Sequence, residues 1–176
     1  DMPDHLQNAR QLAVFRDMTR GLPVRRSLSA TGGILLGPEY HFDLVRPGVG
    51  LYGGLPFAQS QPVVRLSIPV VQVRDLYIGE TVGYAATFTA TRPTRIATLA
   101  SGYADGLLRA LSGKATLWAN DRPCPLAGRV SMDLLTVDVT DLETMPDHLD
   151  ILCPQQTVDQ LADIGGTIGY EILTSL

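Results

Sequence analysis

The sequence predicts two pieces of different class: an α/β segment over residues 1–56 and an all-β domain over residues 57–176, mainly β in total. Three observations predict this. Residues 1–55 run helix, strand, glycine loop, helix, strand, glycine loop, the rhythm of an α/β unit with parallel strands. Pro56 to Pro62 encloses Gln59-Ser-Gln61 and reads as a linker. Beyond it, short apolar runs recur at fairly regular spacing, the pattern of a β-barrel or sandwich.

Asp1 to Arg20 reads as a helix. Pro3 and Asp4 suit its first turn, by fixed φ and by charge at the positive end of the dipole. Leu6, Ala9, Leu12 and Ala13 make its apolar stripe, and Gly21 and Pro23 stop it. Val24 to Ala30 reads as a strand, Thr31-Gly-Gly33 as a loop, Ile34 to Leu36 as a short helix, and Phe42 to Arg46 as a second strand turned by Pro47-Gly48. In the second piece Val64, Leu66, Ile68 and Val70 alternate, and the phase slips to Val71 and Val73 around Pro69. Such a slip implies a bulge or an edge strand. Further strands are predicted over Thr81–Thr89, Arg95–Ala100, Ala115–Ala119, Leu134–Val139 and His148–Leu152, with turns at Ser112-Gly113 and Asn120-Asp121. Thr157 and Gln160 form a capping box before a helix with Val158, Leu161 and Ala162 on one face. Thr167 caps a second, with Ile168, Ile172 and Leu173 on one face.

The 176 residues are 45% hydrophobic and 18% charged with net charge −4, enough for one or two domains with a real core. No basic block is present, which argues against nucleic acid as a partner. No apolar run approaches the roughly 20 residues that span a bilayer, and no signal peptide is seen. The chain starts at Asp1 without an initiator Met, as a fragment would. Cys124 and Cys153 lack metal-ligand spacing and read as reduced thiols of a cytoplasmic protein, a single bridge being the alternative. Of the 14 basic residues only Lys114 is a lysine.

The stretch Ser101-Gly-Tyr-Ala-Asp-Gly-Leu-Leu-Arg109 follows a predicted strand. Gly102 and Gly106 bracket Tyr103, so the chain turns sharply and holds a phenol at a strand end. A phenol on a rigid bend can serve as an acid or base; taken alone, the nine residues read first as a turn with a packed tyrosine.

Gly-Tyr-Ala-Asp-Gly followed by Arg resembles the tyrosine loop of the alanine racemases, which use pyridoxal 5'-phosphate (PLP). Four further stretches agree in order: Val45-Arg-Pro-Gly-Val-Gly-Leu-Tyr-Gly53, Val82-Gly-Tyr-Ala-Ala-Thr-Phe88, Gly128-Arg-Val-Ser-Met-Asp133 and Gly166-Thr-Ile-Gly-Tyr-Glu-Ile-Leu173. The resemblance covers essentially the whole chain and implies the C-terminal half of a protein about twice as long. Residues 1–56 would be the end of a (β/α)8 PLP barrel, which needs about 250 residues to close. Residues 57–176 would be the family's C-terminal β-domain, a partly open Greek-key-like β-barrel.

The resemblance also implies roles. Tyr103 would be one of two bases that move the α-proton of alanine, the other being the lysine that binds PLP as a Schiff base. That lysine lies upstream in the family, and Lys114, in a turn after Ser112-Gly113, is not it. Arg46 would face the PLP pyridine nitrogen, where a permanent cation disfavours protonation. Thr31, Gly48 and Val49 would contact the phosphate, Thr31 replacing a more usual serine with the same donor capacity. The backbone N–H of Met132 would contact the substrate carboxylate. Arg129 and Asp133 would line the entrance corridor; without the family they would read as solvated loop charges. No metal site is predicted. His5, His41 and His148 match no family site. The implied partners are L- and D-alanine and a second copy of the chain in a head-to-tail homodimer, in a bacterial pathway to peptidoglycan. The alternatives are a racemase for serine or another amino acid, and a non-catalytic β-barrel dimerisation module.

Overall fold

The computed structural model describes residues 2–176, and its chain divides into two compact units, residues 1–61 and 62–176.

In the first unit α1 spans Leu6–Met18. His5, not Pro3 or Asp4, opens it: the imidazole Nδ1 accepts the Gln7 N–H at 3.1 Å. Only Leu12 of the expected stripe is buried, and Leu6 is exposed. Phe15 meets Phe42 edge-on with ring centroids 4.9 Å apart, and the Arg26 guanidinium stacks on the same Phe42 ring. Helix α2 is the single turn Thr31–Ile34, three residues ahead of the position expected. The two expected strands do not form. The chain over 24–30 and the segment that follows the turn at 41–43 meet in one parallel bridge, Ala30 to Arg46. Phe42 has φ 54°, a left-handed angle that no strand accommodates, so the second run is broken near its start.

The second unit is built on a six-stranded antiparallel sheet, ordered β6-β5-β8-β1-β4-β7. Its strands are β1 (Leu66–Leu76), β4 (Thr94–Leu99), β5 (Thr116–Ala119), β6 (Arg122–Pro125), β7 (Leu135–Asp138) and β8 (His148–Leu152). Leu126, just past β6, bridges Val137 of β7, so the two ends of the sheet meet and the barrel is nearly closed. The phase slip in β1 is a bulge: Val70 pairs Leu99 but Gln72 pairs Thr98, which turns Val71 out to solvent. Strand β1 is central, between β8 and β4, so the bulge reading holds and the edge reading does not.

The barrel interior holds Ile68, Ala97, Leu99, Leu117, Leu135, Val137, Leu149 and Ile151. Helices α3 (Val158–Gly165) and α4 (Gly169–Ser175) add Leu161 and Ile172 to that core. Alternation along β4 sends Ile96 outward, to a second cluster with Leu76, Ala90 and Ala127. The capping box of α3 forms as expected, whereas α4 has Ile168 at its N-cap position with no side-chain cap, and the Thr167 hydroxyl donates to Glu171 instead.

The run Thr81–Thr89 is not one strand. It is a hairpin of β2 (Thr81–Val82) and β3 (Phe88–Thr89) around a 3-10 turn at Tyr84–Ala86. Strand β6 was not expected, because Arg-Pro-Cys-Pro reads as a breaker. It stands last in the sheet order, where a missing proline N–H costs no ladder bond.

Two polar groups are built into this core. The Asp150 carboxylate, 6% exposed, accepts from Arg65 Nη2 at 2.8 Å and from Ser67 Oγ at 2.5 Å. The buried Gln156 amide donates to the Thr116 and Ile151 carbonyls at 2.8 and 2.7 Å. Both are thereby satisfied rather than stranded.

Candidate functional site

Three loops of the β-unit converge at one end of the barrel. The loop after β4 turns at Gly102 and forms a 3-10 turn over Tyr103–Asp105. The Asp105 carboxylate accepts the Gly102 N–H at 2.9 Å and so pins the bend. The Tyr103 and Ala104 N–H groups donate to the Ser131 and Met132 carbonyls, both at 2.9 Å. The 128–133 loop is held in turn by Ser112, whose hydroxyl accepts the Val130 N–H at 2.9 Å and donates to the Arg109 carbonyl at 2.6 Å. The third loop is the β2–β3 hairpin, where Gly83 lies against the backbone of Gly128 and Arg129.

Tyr84, Tyr103, Arg109, Arg129 and Val130 therefore share one open depression. Tyr103 is 48% exposed and Tyr84 is 68% exposed. The structure brings Arg129 and Tyr103 into one depression; Asp133 is exposed on the same loop but does not line it. Met132 has half its side chain in solvent, and its N–H meets no acceptor among the described residues. It is thus free to donate to a carboxylate. Lys114 is exposed in the turn before β5.

Sequence reasoning passed over two of these residues, Tyr84 and Arg109. Tyr84 stands in the stretch Val82-Gly-Tyr-Ala-Ala-Thr-Phe88, whose pattern predicts a strand. The structure puts it on strained backbone: Gly83, Ala85 and Ala86 have φ of 77°, 61° and 49°. Consecutive left-handed alanines are costly, and such strain clusters where a side chain must be aimed. The sequence signal was the Gly-Tyr pair with no β-branched residue until Thr87.

In the first unit, Thr31 opens α2 and is 4% exposed. Its hydroxyl oxygen accepts the Gly48 N–H at 3.0 Å and the Gly50 N–H at 3.4 Å. Val49, buried at the start of a 3-10 turn, has an N–H with no acceptor among the described residues. The Arg46 guanidinium donates to the Ser27 hydroxyl and, at 3.1 Å, to the Leu28 carbonyl; its backbone N–H donates to Ser29 at 2.9 Å. These bonds aim a fixed cation. An unspent hydroxyl proton, an unspent N–H and a positioned guanidinium suit an anionic phosphate and a ring nitrogen, so the residues fit PLP. Gly48 fits less simply, because its N–H is already given to Thr31.

Both units match known protein families. The family described as alanine racemase, N-terminal domain, matches residues 1–56, and that described as alanine racemase, C-terminal domain, matches residues 63–176. An alanine racemase from Jannaschia sp. is 70% identical over 100% of this chain and 52% of its own length. One from Cereibacter sphaeroides is 66% identical over 100% of this chain and 50% of its own. The crystal structure of alanine racemase from Bartonella henselae with covalently bound pyridoxal phosphate is 40% identical with a TM-score of 0.86, over 99% of this chain and 51% of that one. The chain spans about half the length of the curated relatives it matches. With both domain families matched in order along its length, the chain belongs to the alanine racemase family.

Proposed function

We propose that the whole protein containing this chain is a PLP-dependent alanine racemase. The observation that carries the proposal is the depression of the β-unit, which gathers two phenols and two guanidinium groups, on a loop pair that also carries the unpaired Met132 N–H.

When bound, PLP withdraws electrons from the substrate α-carbon and so acidifies its proton. Thr31 and Val49 would hold the phosphate by donating hydrogen bonds. Arg46 would sit at the ring nitrogen and keep it unprotonated, which limits how far the electrons are drawn and favours simple return of the proton. The Met132 N–H would bind the substrate carboxylate, and Arg129 with Asp133 would line the approach. One phenol would take or return the α-proton on one face, and the cofactor lysine, which this chain does not supply, would serve the opposite face, so that the α-carbon is inverted.

Tyr103 holds that role by motif resemblance. Tyr84 holds it more firmly on the structure's terms, being the more exposed phenol and the one carried by strained backbone. We assign proton transfer to Tyr84 and make Tyr103 a wall of the same depression, with Tyr103 as base the second reading.

We read the assembly as a bacterial, cytoplasmic head-to-tail homodimer that supplies D-alanine for peptidoglycan. Its support is that the β-unit carries the phenols and none of the residues assigned to hold the cofactor. No described helix is long and apolar enough to cross a membrane.

The test is conversion of L-alanine by the full-length protein, with D-alanine read by a D-amino-acid oxidase couple and L-serine run in parallel. Absence of D-alanine from cofactor-loaded protein would overturn the proposal, and faster turnover of serine would overturn the substrate.

A further inference from the structure

We propose that Gly50 is a positioning residue for the Thr31 hydroxyl, and that threonine at 31 makes glycine at 50 necessary for tight phosphate binding. The proposal rests on the reading of Thr31 as a phosphate contact.

A hydroxyl has one proton and two lone pairs. The Gly48 and Gly50 N–H groups both donate to Thr31 Oγ1, so its acceptor capacity is filled. The proton has no acceptor among the described residues and is left to donate outward. Thr31 is therefore set as a donor, provided its rotamer does not change. A β-branched side chain has few rotamers, and here the choice is fixed from below. A Cβ on Gly50 would lie 2.9 Å from Thr31 Cγ2, whereas the next residue, Phe57, is 3.5 Å away. Gly50 has no left-handed φ, so alanine there meets no backbone strain. Its single conflict is with the Thr31 methyl. Relieving that conflict turns Thr31 about χ1 and carries the hydroxyl away from the Gly48 N–H. A serine at 31 has no methyl and escapes the conflict.

The experiment is a double-mutant cycle on the full-length protein stripped of cofactor, with PLP affinity read by fluorescence titration and each apo form checked by thermal melting. Gly50→Ala should weaken PLP by about tenfold, the loss of one charge-assisted hydrogen bond. In a Thr31→Ser background the same substitution should change affinity by less than about twofold, the spread expected for independent sites. Equal losses in both backgrounds would overturn the positioning role. If Gly50→Ala lowers the apo melting temperature, recovery of that temperature by Thr31→Ser supports the same contact, and failure to recover overturns it. Thr31→Ala is the separate control. Unchanged PLP affinity in that variant overturns the phosphate reading itself.

Discussion

A Cβ placed on Gly102 would stand 2.3 Å from the carbonyl oxygen of Met132. The two loops that carry Tyr103 and Met132 are thus in backbone contact, and no side chain fits between them. Gly102→Ala should force them apart and cost about 1–3 kcal/mol by overpacking. Urea unfolding would measure the stability. In the full-length protein the KM for alanine should rise with it, because the Met132 N–H moves.

The two phenols can be separated by removing one oxygen each. Tyr84→Phe in the full-length protein should lower kcat by about 10²–10⁴, the usual contribution of a general base. Tyr103→Phe should leave most of kcat and raise KM. The reverse pattern would return the base to Tyr103.

The isolated 176-residue chain should neither bind PLP covalently in its site nor racemise alanine. Its one lysine, Lys114, is exposed in a turn. Borohydride reduction with PLP, followed by peptide mapping, should find no modification that saturates at low PLP. D-alanine formation by the isolated chain would refute this.

Burial of Cys124 pushes its thiol from 9.0 up to about 11, with Asp138 and Asp141 adding in the same direction. A raised folded value favours the protonated form, so its contribution to stability is complete below about pH 9 and is lost as pH climbs towards 11. The urea midpoint should fall over that window, and fall less in Cys124→Ala. Near pH 8 the native thiol should resist alkylation, since the thiolate is the nucleophile.

Asp150→Asn should lower stability by about 1.5–3 kcal/mol, because it weakens charge-assisted bonds from Arg65 and Ser67 in a buried setting. Arg65→Met should cost less, the arginine side chain being 67% exposed. Thermal unfolding of the two variants would rank them.

The β-unit was readable wherever burial alternates and turn residues bracket it, as in β4, β5, β7 and β8. The bulge in β1 was visible in the phase of its valines. The hairpin at Tyr84 was not, because left-handed alanines leave no compositional mark. Nor were the broken strands of the first unit, where apolar residues suggested a ladder and Phe42 turns the chain out of it. The motifs pointed to Tyr103, Met132, Arg129, Thr31 and Arg46, but not to which phenol is more exposed. Exposure is set by the meeting of three loops, and no single loop encodes it.

The seam that closes the barrel and the loop that carries Met132 are one stretch of chain. Leu126 bridges Val137, Ala127 gives its N–H to the Thr136 carbonyl, and six residues later the loop has passed Arg129 and Met132. A cylinder joined by so short a stitch opens there first. Slow exchange of the Ala127 amide would then report, in one signal, that the barrel is shut and that the loop beyond it is held in register.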